Sequence, residues 1–139
     1  MGAQFLETQH GGNTPGGDGP LLDACDRPGM LVMDEFLPVW DTGKNPQNYS
    51  VYFPEWWERD LTSAVLRDRN HPSVVIWSLG HEITDKTNGQ RGAQLADRLR
   101  SLDRTRPITP GGGSTFTADD PSWSYVDVGD VHYNANGKG

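Results

Sequence analysis

Cysteine, long apolar runs and export signals are scarce or missing in this sequence. Cys25 is the only cysteine among 139 residues, which excludes an internal disulfide and a zinc site built from cysteines. We interpret Cys25 as a small buried apolar side chain. No apolar run approaches the roughly 20 residues that a bilayer span requires, and the first ten residues do not resemble a signal peptide. We therefore expect no membrane partner and, for the chain as written, a cytoplasmic location.

Positive charge is also scarce. Twelve Lys and Arg stand against 19 Asp and Glu, for a net charge of −7. Nucleic-acid binding requires clustered basic residues, so we exclude a nucleic-acid partner and expect a neutral or cationic ligand. The triple glycine at 111–113 lacks the lysine and the following helix of a phosphate-binding loop. We therefore predict no cofactor.

Short apolar runs alternate with segments of helical spacing along the chain. The apolar runs predict strands, at residues 3–8, 30–33, 73–79, 106–109 and 126–133. Apolar residues at helical spacing predict helices, from Pro20, from Pro54 and over residues 92–102. Between these elements lie a long aromatic loop and two glycine-rich loops, at residues 36–53, 11–19 and 110–122. This order predicts a single domain over residues 1–139 with a parallel α/β sheet.

Chemically active side chains follow the predicted strands. Because loops leaving the carboxyl ends of parallel strands open on one face, these side chains are expected to share a rim. They are His10, Asp34 with Glu35, His81 with Glu82, and His132 with Tyr133. Carboxylates, imidazoles and aromatic rings suit a sugar, and cleavage of a glycosidic bond requires a carboxylic acid near the leaving oxygen.

Three sequence blocks resemble the barrel domain of glycoside hydrolase family 2. They are residues 21–36 (LLDACDRPGMLVMDEF), 55–66 (EWWERDLTSAVL) and 67–82 (RDRNHPSVVIWSLGHE). The last block is close to a family signature and departs from it at His81, where asparagine is usual. The resemblance implies part of a (β/α)8 TIM barrel, about strands two to six, from a retaining β-glycosidase of the β-galactosidase and β-glucuronidase type.

The resemblance also implies roles for individual residues. Glu82 corresponds to the general acid and base, and Tyr133 to the tyrosine that positions the nucleophile. His10 and His81 correspond to positions that contact sugar hydroxyls. The family nucleophile lies on strand seven, beyond the strands that the chain matches, so we expect no full retaining catalysis unless another chain supplies it. The family's magnesium ligands are not matched, so we predict no metal there.

Positions in the predicted fold add three further substrate contacts. Asp34 and His132 follow predicted strands, and Trp40 lies in the aromatic loop, where its ring could stack on a sugar.

Two alternatives to a glycosidase remain open. In the first, His10, His81 and His132 with Glu82 form a metal site of the kind that zinc occupies. In the second, the chain binds carbohydrate without chemistry. In every case a partial barrel exposes two sheet edges, so we expect a homodimer or association with the remaining barrel.

Overall fold

The computed structural model describes residues 5–9, 19–83, 89–112 and 116–131. Within these residues, four strands form one parallel sheet in the order β1-β2-β3-β4. The strands are β1 (Phe5–Gln9), β2 (Leu31–Glu35), β3 (Val74–Ser78) and β4 (Ile108–Thr109). Because the strands are parallel, each connection must return to the amino end of the sheet before the next strand begins.

A helix makes each of these return connections. The helices are α1 (Gly19–Asp26), α2 (Phe53–Asp68) and α3 (Gly89–Leu102). This alternation confirms the predicted α/β class. None of the helices in the described segments has the length and apolar character needed to cross a membrane.

The main core lies between the sheet and the helices. Apolar side chains at helical spacing on α2 and α3 pack against β-branched and aromatic residues of the sheet. The fully buried members include Leu61, Val65, Leu95, Leu99, Trp77 and Ile108. Cys25 is also buried in this core, which confirms the prediction of a small buried side chain at this position.

The loop at residues 36–53 is more ordered than the sequence indicates. It contains a short 3-10 helix, Tyr49–Val51, which begins where the Asn48 side chain accepts a hydrogen bond from the Ser50 N–H at 3.1 Å. The Tyr49 hydroxyl then donates to the Asp60 carboxylate of α2 at 2.6 Å. The loop is therefore fixed to the helix that follows it.

The predicted last strand is wrong for the part of it that the structure describes. Residues 126–131 form no strand. Instead, the N–H groups of Asp127 and Val128 both donate to the Ile108 carbonyl, while the Asp127 carboxylate accepts from the Ile108 N–H at 3.0 Å. A side chain thus takes the place of a backbone partner and interrupts the ladder. Residues 132 and 133 lie outside the described residues.

A buried charge network ties β3 to the end of α3. The Asp103 carboxylate accepts from the Trp77 indole N–H at 3.0 Å and from the Arg106 guanidinium. It also accepts from Thr105, at the hydroxyl and the backbone N–H. Burial by itself would raise the pKa of Asp103, but these hydrogen bonds outweigh it and lower the pKa to about 2.

We expect Asp103→Asn to destabilise the chain by about 2 kcal/mol near neutral pH. The Asp103 carboxylate binds a proton less readily in the folded chain than in the unfolded chain. Its contribution is therefore complete above the unfolded pKa and is lost as the pH falls from about 4 to about 2. Urea unfolding of both proteins between pH 2 and pH 7 measures this difference. The exposed Asp119→Asn variant is the control, and a pH-independent difference for Asp103→Asn would contradict the assignment.

Candidate active site

A row of polar side chains lies at the carboxyl end of the sheet. The strand register places Glu35 of β2 beside Ser78 of β3, and Ser78 beside Thr109 of β4. All three are buried. The Ser78 hydroxyl lies 3.1 Å from a Glu35 carboxylate oxygen and 2.9 Å from the Gly80 carbonyl. This row forms a polar layer under the loops that leave the strands.

Glu82 follows β3 in a sharp backbone turn. Its φ is +48°, and it is the one non-glycine residue with positive φ in the described part of the chain. Hydrogen bonds hold the turn on both sides: the His81 N–H donates to the Leu37 carbonyl at 3.1 Å, and the Ile83 N–H to the Gly111 carbonyl at 3.0 Å. A left-handed conformation costs an L-residue roughly 1–2 kcal/mol. Such conformations cluster at functional sites, where the surrounding structure holds them in place.

The glycine run after β4 explains how this turn fits. Gly111 has a φ of +77°, and a Cβ on it would lie 1.7 Å from the Gly80 carbonyl oxygen. A Cβ on Gly112 would lie 2.1 Å from the Asp130 carbonyl oxygen, and the Gly112 N–H donates to the Asp130 carboxylate. These glycines therefore permit close backbone packing beside Glu82.

Charged groups surround the Glu82 carboxylate, which is 35% exposed. Lys44 Nζ, from the loop after β2, lies 3.7 Å from Glu82 Oε2 and donates to the His81 carbonyl at 2.9 Å. His81 Nε2 lies 3.9 Å from the same Glu82 oxygen. On the other side of the ring, His81 Nδ1 lies 3.0 Å from Glu35 Oε1. An accessible carboxylate is thus bracketed by a lysine and an imidazole.

Asp34 and Trp40 do not reach this site. Asp34 is fully buried and pairs in register with Trp77. The pKa of Arg67 on α2 is raised mainly by its hydrogen bond to Asp68, and the negative charge of Asp34 adds to that rise. Trp40 is also fully buried and donates its indole N–H to the Leu79 carbonyl at 2.9 Å. Neither side chain is exposed to a ligand, which corrects the prediction that both contact substrate. Both side chains pack against other parts of the chain, which their positions in the sequence did not reveal.

His10, His132 and Tyr133, the other predicted site residues, lie outside the described residues. Their predicted contacts, and the three-histidine metal site that depends on two of them, stay predictions. His81 and Glu82, which are adjacent in the sequence, both follow β3, and their predicted roles toward a substrate stay predictions. Lys44 was missed, because an isolated lysine in a long loop carries no signal in the sequence; only the folded loop places its Nζ 3.7 Å from Glu82.

A second cluster of titratable side chains lies at the opposite end of the sheet. Asp26 accepts from His71 Nδ1 at 2.7 Å and from the Ser73 N–H at 2.9 Å. Burial opposes ionisation of Asp26, but the hydrogen bonds prevail and lower its pKa. Asp23 brings a third potential ligand atom within 4.8 Å of the others. Because His71 and Asp26 already satisfy each other, we interpret this cluster as a clamp on the turn that precedes β3.

Ligand sites of parallel α/β folds lie at the carboxyl ends of the strands, which is where the accessible Glu82 carboxylate and the polar layer below it are found. The sequence model of the glycosyl hydrolases family 2 TIM barrel domain matches residues 15–129. The chain belongs to this family, and its fold is part of a TIM barrel, as predicted.

Relatives by sequence and by structure support this assignment. A β-galactosidase of Bacteroides ovatus is 42% identical over 96 residues, which are 69% of this chain and 11% of the relative. A candidate β-glucuronidase of Formosa agariphila is 36% identical over 120 residues, or 86% of this chain and 11% of the relative. A crystal structure of a family 2 member from Bacteroides cellulosilyticus superposes with a TM-score of 0.82 at 39% identity, covering 94% of this chain and 17% of that one. The chain thus spans about a tenth of the curated relatives' length.

Proposed function

We propose that this chain supplies the acid and base carboxylate of a retaining β-glycosidase, and that Glu82 is that residue. The observation that carries the proposal is the placement of Glu82: its carboxylate is accessible at the carboxyl end of β3, on a left-handed turn, between Lys44 and His81. A strained backbone that aims one carboxylate at the rim is easier to explain by chemistry than by stability.

Glu82 would act twice in the reaction. In the first half it gives its proton to the glycosidic oxygen as the bond to the anomeric carbon breaks. In the second half it takes a proton from the water that attacks the covalent glycosyl intermediate, which returns the acid to its starting form. The accessible position allows both the leaving group and the water to approach from solvent.

The nucleophile is proposed to come from a strand beyond β4. A retaining enzyme needs a second carboxylate about 5–5.5 Å from the acid. Glu35 is near Glu82, but it is 1% exposed and contacts both His81 and Ser78. It therefore has no open path to an anomeric carbon. The strands that bring the nucleophile would also cover the edges of the sheet at β1 and β4, and a second copy of the chain is the alternative cover.

The proposed substrates are terminal β-galactosides or β-glucuronides. These are the sugars in the names of the Bacteroides ovatus and Formosa agariphila relatives. His10, His81, His132 and Tyr133 are the side chains proposed to contact the sugar or the nucleophile. At position 81 an imidazole replaces the asparagine that the family usually has, so the contact to the hydroxyl next to the reacting carbon is expected to be altered.

A chimeric barrel tests the function directly. In it, this chain replaces the matching segment of the Bacteroides cellulosilyticus protein, whose own barrel is the matched control. We expect hydrolysis of a nitrophenyl β-galactoside or β-glucuronide, with the β-anomer as the first product detected by proton NMR. Retention follows from two successive inversions at one carbon. A folded chimera that releases the α-anomer first, or that binds the sugar without cleaving it, would refute the proposal.

A further inference from the structure

We propose that Lys44 makes the site selective for substrates that carry a carboxylate next to the scissile bond, such as β-glucuronides. This inference rests on the proposed function, because the acid Glu82 marks the position of that bond. It also deepens that function, since galactosides and glucuronides are otherwise equal candidates. Lys44 binds the substrate and takes no part in the proton transfer.

Backbone groups fix the ammonium group of Lys44 beside the turn that holds Glu82. Lys44 Nζ donates to the His81 carbonyl at 2.9 Å, and the His81 N–H donates to the Leu37 carbonyl at 3.1 Å. Both hydrogen bonds join the loop after β2 to the backbone that follows β3. Because both acceptors are backbone carbonyls, the position of the cation does not depend on the ionisation of the side chains in the turn.

The loop is also closely packed at the residue before Lys44. A Cβ on Gly43 would overlap Asn48 Oδ1 and Ser50 Oγ. Those two side chains are joined by a hydrogen bond of 2.6 Å, in which the Ser50 hydroxyl donates to Asn48. Gly43 therefore lies against the 3-10 helix that is fixed to α2, and Lys44 extends to the rim from an anchored segment.

The ammonium group keeps donors for a ligand. A lysine has three N–H donors, and toward the described residues the one hydrogen bond of Lys44 goes to the His81 carbonyl. Glu82 Oε2, at 3.7 Å, is within ion-pair distance but too far for a hydrogen bond. The Lys44 side chain is 36% exposed. A carboxylate that enters the site can therefore reach the ammonium group.

The reaction itself gives Lys44 a reason to prefer an anion. As the acid of the first half-reaction, Glu82 carries a proton, so the nearby ammonium group then faces an uncharged carboxyl. A carboxylate on the substrate supplies the missing negative charge and accepts a charge-assisted hydrogen bond, which is about twice as strong as the bond to a sugar hydroxyl.

The acidity of the whole chain does not oppose this preference. The net charge of −7 favours neutral or cationic ligands, but charges more than about 8–10 Å away are largely screened at physiological salt. Lys44 is the one basic residue between positions 36 and 53, and it lies at the acid. Charge recognition at this site is therefore local.

Matched substrates in the chimeric barrel test the role of Lys44. Nitrophenyl β-glucoside and β-glucuronide differ only at C6, as do the β-galactoside and the β-galacturonide. Phenyl and carboxyphenyl β-galactosides place the carboxylate on the leaving group instead. We expect Lys44→Gln to lower the ratio of kcat/KM, charged over neutral substrate, about tenfold in at least one pair. The pair that responds shows whether the carboxylate belongs to the sugar or to the leaving group.

Two variants and the salt dependence separate charge recognition from structural damage. Lys44→Arg keeps the charge and should retain most of the selectivity. Arg104→Gln removes an exposed positive charge at the opposite end of the sheet and should leave the ratio unchanged. In the unmodified chimera the ratio should also fall as salt rises from about 0.05 M to about 0.5 M, because screening weakens an exposed ion pair.

The outcomes distinguish this inference from the proposed function. An unchanged ratio in every pair after Lys44→Gln would overturn the inference. Equal losses on charged and neutral substrates would overturn it too, because they would show that Lys44 only supports the backbone at His81. In both cases hydrolysis by the unmodified chimera would leave the proposed function standing. A folded chimera that cleaves none of the substrates would instead refute the proposed function, and the role of Lys44 with it.

Discussion

Glu82→Gln is expected to lower kcat/KM of the completed barrel by about 10²–10⁴-fold on substrates with poor leaving groups. Glutamine keeps the size of glutamate and can accept hydrogen bonds, but it cannot transfer a proton. Because the side chain is about one-third exposed, its replacement should leave folding intact. The measurement is steady-state hydrolysis of phenyl and dinitrophenyl β-glycosides by the chimeric barrel.

The dependence on the leaving group separates loss of the acid from general damage. A dinitrophenolate leaves without protonation, so bond cleavage in the first half of its reaction should be nearly unaffected by Glu82→Gln. The second half still lacks its base, and the covalent intermediate should accumulate as a burst of product. Glu55→Gln, an exposed glutamate on α2, is the control and should retain full activity. Equal losses on both substrates would exclude Glu82 as the acid.

Gly111→Ala is expected to destabilise the chain by about 3 to 5 kcal/mol. Two costs combine at this position. The backbone has a φ of +77°, which is unfavourable for an L-residue, and the new methyl group would lie 1.7 Å from the Gly80 carbonyl oxygen. Because the obstacle is backbone rather than a flexible side chain, β3 or the loop after β4 would have to shift. Urea unfolding measures the loss.

Gly29→Ala isolates the first of these costs. Gly29 has a nearly equal φ of +72°, but nothing lies within 4 Å of a Cβ built there. Its replacement should therefore cost only about 1–2 kcal/mol. Gly19, without positive φ and with the same open space, should tolerate alanine with little change. If Gly111→Ala and Gly29→Ala destabilise equally, the close approach of Gly111 to Gly80 is not present in the protein.

Helices and strands were predictable because their signals are local. Apolar runs identified β2 and β3 to within two residues, and helical spacing identified the start of α2 to within one, since each pattern reflects how one element is buried. The predicted strand was wrong at residues 126–131. This segment contains the apolar residues that suggested a strand, but the Asp127 side chain accepts the hydrogen bond from the Ile108 N–H. A side chain that replaces a backbone partner leaves no trace in periodicity.

Trp40 shows a second limit of prediction from sequence. An aromatic residue in a long loop is equally consistent with an exposed platform and with a core residue. The structure makes it a core residue because the loop folds back onto the sheet, where the Leu79 carbonyl accepts from the indole. That acceptor is 39 residues away in sequence, and no local pattern connects the two.

The sequence by itself determined the parallel α/β architecture, the family and the position of Glu82 in the loop that follows a buried strand. Each of these follows from contiguous residues, because apolar period and strand order are properties of short segments. Only the tertiary structure decided that Lys44 lies beside the Glu82 carboxylate and that Gly111 lies against Gly80. These are contacts between separate segments, and they exist only once the sheet has brought the strand ends together.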